Sequence, residues 1–172
     1  MTFRRTLTKV GRALLPEALK RPLRKHIQQG APMPQGLEFG LVEEHGSFFA
    51  RLPGNAEVRI PPEILPEFRS NFENDWDEMQ SFLKVAEKAS ILFDVGADKG
   101  ALAATFAALG EDKRAFAYEP SALGCRLMNE LLELNELKER VAIVPKIVGA
   151  QAGKVAFSRE DCGYVQVVPV AS

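Results

Sequence analysis

The stretch FDVGADKG, from Phe93 to Gly100, decides the fold of this 172-residue chain. It ends the short apolar run Ile91–Val95 and leads directly into the small-residue run Ala101–Leu109. A strand, a glycine turn and a helix in immediate succession are typical of a ligand-binding turn, in which the first amide groups of the helix are free to bind a polar or anionic group. Gly96 allows a sharp turn, and Gly100 allows turn and helix to lie close to a ligand.

The same alternation continues after this turn. Arg114–Tyr118 reads as a second strand and Val141–Val144 as a third, with the amphipathic helix Ser121–Leu134 between them. The expected apolar face of that helix consists of Leu123, Leu127, Leu131 and Leu134. This order predicts an α/β fold with a parallel three-strand β-α-β-α-β core and right-handed crossovers. Two further strands are expected at Lys154–Ser158 and Tyr164–Val168.

The preceding residues predict a smaller segment rich in strands. Leu37, Phe39 and Leu41 alternate with other residues, and strands are expected at Ser47–Leu52 and Glu57–Ile60. A proline-rich stretch, Pro61 to Pro66, then separates these strands from a helix, whose core-facing positions are Trp76, Met79, Leu83 and Ala86. The predicted organisation is a basic arm (1–30), a β-hairpin and helix segment (31–90), and a ligand-binding half (91–172).

Charge is distributed unevenly along the chain. Residues 1–30 contain eight Lys and Arg residues and one Glu, a net charge of +7, whereas the remainder carries 14 basic and 22 acidic residues. The arm is a candidate for peripheral contact with an anionic membrane or an acidic partner; a solvated lead-in and a transit peptide are the alternatives. The acidic body argues against nucleic-acid binding.

Other features restrict the location and the kind of site. No apolar run reaches the ~18 residues that a membrane-spanning helix needs, and the segment from Met1 has no signal-peptide core. Cys125 and Cys162 are too few and too scattered for a disulfide framework or a zinc site. We therefore expect a cytoplasmic protein without a bound metal.

Two ligand classes use such a turn, dinucleotides and S-adenosylmethionine. The dinucleotide pattern G-x-G-x-x-G would need glycine where Asp98 stands, and an acid there would face a pyrophosphate. Asp94, at the end of the first strand, suits a ligand with an amino group and a sulfonium. Glu119, at the end of the second strand, suits the ribose hydroxyls of either class. The turn therefore favours S-adenosylmethionine as cofactor.

In four stretches the chain resembles the FkbM-type S-adenosylmethionine-dependent methyltransferases. They are FDVGADKG (93–100), AYEP (117–120), LMNELLELNEL (127–137) and VAIVPKIVGAQAGKVAF (141–157), and Asn129 and Asn135 fall where that family's helix has asparagines. The resemblance implies a Rossmann-like class I methyltransferase that methylates a hydroxyl of a sugar or secondary metabolite.

Carried over by position, the family's cofactor contacts fall on residues of the turn and the strand ends. The resemblance implies that Asp94, Gly96, Ala97 and Gly100 line the methionine end of the cofactor, that Glu119 holds the ribose, and that the chain near Ile147–Val148 lies by the adenine. Asp98, where asparagine is expected, and Ala101, where an aromatic is common, depart from the family's pattern.

The sequence assigns neither a catalytic residue nor the oligomeric state. His26 and His45 both precede the ligand-binding half and lack a partner in sequence. Strands four to seven of such a fold have no counterpart, so this half is expected to be incomplete at its C-terminus and strand Ile91–Val95 to form an exposed apolar edge. A non-catalytic binding module with a membrane-associating arm, and a nicotinamide- or flavin-binding Rossmann protein, stay open as alternatives.

Overall fold

The computed structural model describes residues 39–150, residue 153 and the main chain of 155–157 and 167–169. The described residues all belong to one unit, Leu37–Ser172. The predicted basic arm, His26 and Cys162 lie outside the described residues.

Among the described residues, helices and strands follow one another in the predicted order. Three short helical segments are additional: a 3-10 turn at Pro53–Asn55, the helix Leu65–Arg69 and a π-helical turn at Ser70–Asn74. The first group of elements is β1 (Gly40–Glu44), β2 (Ser47–Arg51), β3 (Glu57–Ile60), α1 (Leu65–Arg69) and α2 (Trp76–Ala86). The second group is β4 (Ile91–Val95), α3 (Ala101–Ala108), β5 (Arg114–Tyr118), α4 (Ala122–Leu134), β6 (Val141–Val144), β7 (Val155–Phe157) and β8 (Val167–Pro169).

Strands β1, β2 and β3 form an antiparallel sheet in that order. Alternate residues of β3, Val58 and Ile60, are buried, as period-two alternation in a half-buried strand requires. Helix α1 was not expected, because the prolines around it read as a separator; Pro66 occupies the first turn, where its missing N–H costs no hydrogen bond. Phe68 of α1 is fully buried.

Helix α2 has the predicted core-facing positions. Met79, Leu83 and Ala86 are buried. Trp76 is partly buried against the core, and its ring lies 6.2 Å from that of Phe72. The helical spacing of these apolar residues therefore identified the buried face correctly.

Strands β4, β5 and β6 form a parallel sheet in that order, with Phe93 opposite Phe116 and Ala117 opposite Ile143. With helices α3 and α4 connecting the three strands, the chain has the predicted α/β, Rossmann-like fold. Strands β7 and β8 pair antiparallel in a separate two-stranded sheet. None of the helices among the described residues is long and apolar enough to cross a membrane.

The two connecting helices differ in how they pack. Helix α3 is buried nearly all round, which its alanine-rich sequence permits. In α4 the predicted face is partly wrong: Leu127 and Leu131 are buried, but Leu123 and Leu134 are 37% and 42% exposed. Gly124, Met128 and Leu132 are buried instead. The buried face is therefore displaced from the one predicted.

The sheet β4-β5-β6 has an open, apolar face at its β4 side. Ile91, Phe93 and Val95 are 56%, 63% and 59% exposed, and the Phe93 ring stacks on that of Phe116 at 5.2 Å. Among the described residues β4 pairs only with β5, so its other edge is open. The expected exposed apolar edge is therefore present.

One buried cluster joins residues from both sides of position 90. The side chain of Asn135, at the end of α4, accepts a hydrogen bond from the N–H of Arg59 (2.7 Å) and donates one to its carbonyl (2.9 Å). This amide therefore ties β3 of the first sheet to the last turn of α4. The antiparallel sheet and the parallel sheet share one core.

Candidate functional site

The glycine turn connects β4 to α3 and is fastened to the end of β5. The main-chain N–H groups of Gly96 and Ala97 both donate to the carbonyl of Tyr118, at 2.9 and 3.1 Å. Gly96 has a φ of +79°, and a Cβ built there would meet nothing within 4 Å. The space beside Gly96 is therefore open to a ligand, whereas the side chain of Ala97 is buried.

Gly100 is required by the packing of α3 against α4. Its φ is +84°, and a Cβ there would lie 2.4 Å from Cγ of the buried Met128. Gly124 is equally tight, since a Cβ there would lie 2.7 Å from the carbonyl oxygen of Asp98. Asp98 itself has a φ of 47°, a left-handed conformation that Asp and Asn adopt more readily than most residues. Helix packing thus accounts for Gly100, and its predicted contact with a ligand stays a prediction.

Glu119 follows β5 directly, and its side chain is hydrogen-bonded to the glycine turn. It is only 8% exposed. Its Oε2 accepts a hydrogen bond from the N–H of Asp98 at 3.0 Å, and its Oε1 accepts one from the N–H of Ser121 at 2.7 Å. Each carboxylate oxygen has a second lone pair, so these bonds leave acceptor capacity for ribose hydroxyls. The predicted ribose contact itself stays a prediction.

Asp94 lies near the end of β4 and is half-buried. Its Oδ2 is buried without a hydrogen-bond partner. Burial, with a smaller contribution from the negative charge of Glu119, raises the pKa of this carboxyl to about 6, although an interaction with the Ala103 N–H lowers it. A partly buried carboxyl with an unused acceptor is the arrangement that a positively charged ligand group would stabilise.

Glu67, on helix α1, belongs to the same site and was not found from the sequence. Its Oε1 accepts a hydrogen bond from the N–H of Ala101 at 3.2 Å, and its Oε2 is buried without a partner. Burial, and to a smaller extent the negative charge of Asp98, raises the pKa of Glu67 to about 7. The contact joins positions 34 residues apart, in two elements with no shared pattern, so local spacing held no signal for it.

The helix start therefore differs from the expectation of free amide groups. The N–H of Ala101 donates a hydrogen bond to Glu67, and the N–H of Asp98 donates one to Glu119. The turn carries the carboxyl groups of Glu67, Asp94, Asp98 and Glu119, with the nearby cation Lys99. Such a charge distribution favours a cationic or zwitterionic ligand over a phosphate.

The described residues contain no cluster of three or more His, Cys, Asp and Glu side chains that could hold a metal ion. His45 lies in the turn between β1 and β2 and is exposed. Ile147, half-buried, and Val148, 52% exposed, follow the end of β6, and their predicted place beside the adenine stays a prediction. His45 does not have the surroundings of a catalytic base.

The thiol of Cys125 lies next to the site. Its Sγ donates to the carbonyl of Glu119 at 3.0 Å. Burial, and then the negative charge of Glu119, raise the pKa of this thiol, which keeps it protonated at neutral pH. Cys125 is therefore not an activated nucleophile.

No protein family and no curated protein matches the chain. Solved structures with a partly similar fold include a Staphylococcus aureus protein described as a caffeoyl-CoA O-methyltransferase, at 16% identity over 48% of this chain and 42% of that one, with a TM-score of 0.39. A transferase of Pyrococcus horikoshii has 14% identity over 59% and 36%, with a TM-score of 0.38. TYW2 of Pyrococcus horikoshii, in complex with MeSAdo, has 13% identity over 78% and 66%, with a TM-score of 0.37.

The chain thus spans less than two thirds of the length of each of these three proteins. Likeness at this level does not assign an activity. The functional assignment has to come from the charges and contacts of the glycine turn.

Proposed function

We propose that this chain carries the cofactor site of an S-adenosylmethionine-dependent methyltransferase. The observation that carries the proposal is the carboxyl group of Asp94, at the end of β4 beside the open space at Gly96. One of its oxygens is buried and unpartnered, and its pKa is raised to about 6. A buried polar group without a partner is costly, and at a ligand site the ligand can supply the missing partner.

S-adenosylmethionine matches this site in its charges. It carries an ammonium group, a sulfonium group and one carboxylate, so that its net charge is positive, together with two ribose hydroxyls and no phosphate. A dinucleotide would bring two negative phosphates to a turn that already holds the carboxyl groups of Glu67, Asp94 and Asp98. Repulsion between these carboxylates and the phosphates disfavours binding of a dinucleotide. The charge pattern therefore supports the methyl donor over the nicotinamide alternative.

Each predicted contact has a defined place in this proposal. Asp94 accepts a hydrogen bond from the ammonium end of the cofactor, and Gly96 leaves the space into which that end fits. Glu119 accepts from the ribose hydroxyls with the lone pairs that its bonds to Asp98 and Ser121 leave unused. The bound cofactor supplies an electrophilic methyl group, and the chain's part is to bind and orient it.

The methyl acceptor in this proposal is a hydroxyl group of a sugar or secondary metabolite. This finer assignment is supported by the resemblance to FkbM-type methyltransferases in the four stretches of sequence described above. Acceptor contacts are expected from loops rather than from the cofactor turn.

Replacing one carboxyl tests the proposal. Asp94→Asn keeps the size of the side chain but removes its charge, and we expect it to weaken S-adenosylhomocysteine binding about tenfold or more in calorimetric titration, since charge-assisted hydrogen bonds contribute about 1.5–3 kcal/mol. Asp77→Asn makes the same change at an exposed position of α2 and should leave binding within about twofold. Equal binding by the folded Asp94→Asn variant and the wild type would contradict the proposed role of Asp94.

A further inference from the structure

Helix α3 begins without a capping side chain of its own. Its N-cap position is Gly100, which has no side chain, and no acidic residue lies in its first turn. Glycine cannot be exchanged for Ser, Asp or Asn here, because φ is +84° and Met128 fills the space. The unpaired N–H groups of this helix start must therefore be satisfied from elsewhere.

Glu67 supplies the cap from a different helix. Its Oε1 accepts a hydrogen bond from the N–H of Ala101 at 3.2 Å. A helix N-terminus with free N–H groups attracts anions, and in dinucleotide sites a phosphate lies there. The carboxylate of Glu67 thus occupies the position that a phosphate would otherwise take.

The chain maintains this contact at a cost. The Oε2 of Glu67 is buried without a partner, and Asp98 adds a second negative charge nearby. The pKa of Glu67 is lowered by the N–H groups of Ala101 and Lys99 and by the positive charge of Lys99, which stabilise the charged form. Above pH 7 this carboxyl places a buried negative charge at the turn. A permanently neutral side chain could accept from the same N–H group without that cost.

We propose that Glu67 is the specificity-determining residue of the glycine turn: it fills the anion-binding position at the start of α3 with the protein's own carboxylate and so excludes ligands that carry a phosphate there. The inference rests on the proposed cofactor site in one respect, the identity of the ligand that is admitted. Exclusion of anions by Glu67 does not depend on that identity.

The test compares an anion with the cofactor product on the same full-length variants. Sulfate is the anion, because its charge does not change between pH 6 and 8. Binding of sulfate is followed at pH 8 by NMR through the amide signals of Gly100 and Ala101, and S-adenosylhomocysteine binding by calorimetry. The variants are Glu67→Ala, Glu67→Gln, and Glu63→Ala as the control at an exposed position of the same segment.

Wild type and Glu63→Ala should show weak sulfate binding of equal strength. Glu67→Ala should bind sulfate about tenfold or more tightly, since one like charge is lost and a charge-assisted hydrogen bond becomes available. Glu67→Gln keeps an acceptor oxygen but no charge, and should gain about threefold or more; it carries the test if the alanine variant does not fold.

The outcomes separate the two proposals. Unchanged sulfate binding in the folded Glu67 variants, with S-adenosylhomocysteine bound by the wild type, would overturn the role of Glu67 and leave the proposed function standing. A gain in sulfate binding with no S-adenosylhomocysteine binding to any variant would support anion exclusion by Glu67 and refute the proposed cofactor.

Discussion

The two glycines of the turn should respond differently to the same substitution. Alanine at Gly100 meets a left-handed φ of +84° and a Cβ position 2.4 Å from Cγ of Met128, which is fully buried. Alanine at Gly96 meets a similar φ of +79° but no atom within 4 Å. The pair therefore separates backbone strain, which both share, from a steric clash, which only Gly100 has.

The expected magnitudes follow from these contacts. A left-handed conformation costs a non-glycine residue about 1–2 kcal/mol, and forcing an extra methyl group into a packed core costs about 1–3 kcal/mol. Gly100→Ala should therefore lower the free energy of unfolding by about 2–5 kcal/mol, and Gly96→Ala by about 1–2 kcal/mol. Against a total of about 5–15 kcal/mol for a typical domain, the first change is severe and the second is tolerable.

Urea unfolding followed by circular dichroism measures both values. The Gly96→Ala protein should stay folded yet bind S-adenosylhomocysteine at least about tenfold more weakly, because its methyl group occupies the space left for the ligand. The double variant Gly100→Ala, Met128→Ala should show a favourable coupling energy, since the smaller side chain relieves the clash. Equal losses of stability at Gly96 and Gly100, or no coupling with Met128, would refute this account of the turn.

Two further predictions concern buried charges. The raised pKa values of Asp94 and Glu67 mean that the folded chain binds more protons than the unfolded one, so their contribution to stability is present below pH 4 and is lost as pH rises through about 6 and 7. The gain in stability from pH 8 to pH 5 should therefore be about 1 kcal/mol smaller in Asp94→Asn than in wild type, and an equal gain in both would contradict the burial of Asp94. Lys113 donates to the carbonyls of Ala86, Glu87 and Ala89, at 3.0, 3.0 and 2.6 Å, and so caps the end of α2. Lys113→Met should cost about 3 kcal/mol in urea unfolding, against less than about 0.5 kcal/mol for the exposed Lys84→Met, and a loss below about 1 kcal/mol would show that water replaces these bonds.

The alternation of strands and helices from β4 to β6 could be predicted because it is written in local patterns. Runs such as Ile91–Val95 and Arg114–Tyr118 match the observed strands at both ends. A short apolar strand followed by a glycine turn leaves few alternatives for the chain. The positions of Asp94 and Glu119 at neighbouring strand ends followed from the parallel arrangement, and the structure brings both to the glycine turn.

Features that depend on tertiary packing were missed. Helix α1 was hidden because prolines near it resemble a linker, although a proline in the first helical turn is well tolerated. The contact of Glu67 with Ala101 depends on how α1 packs against the parallel sheet, which no local pattern encodes. In α4, the leucine spacing wrongly placed Leu123 and Leu134 on the buried face. Gly124 is buried there because it is small, not because it is hydrophobic.

A cofactor site that accepts an adenosine ligand with an ammonium group and rejects phosphates is tested most directly by titrating the 172-residue chain with S-adenosylhomocysteine and with NAD in a calorimeter. The account predicts saturable one-to-one binding of S-adenosylhomocysteine and no binding of NAD at the same concentrations. Binding of NAD without any response to S-adenosylhomocysteine would contradict it.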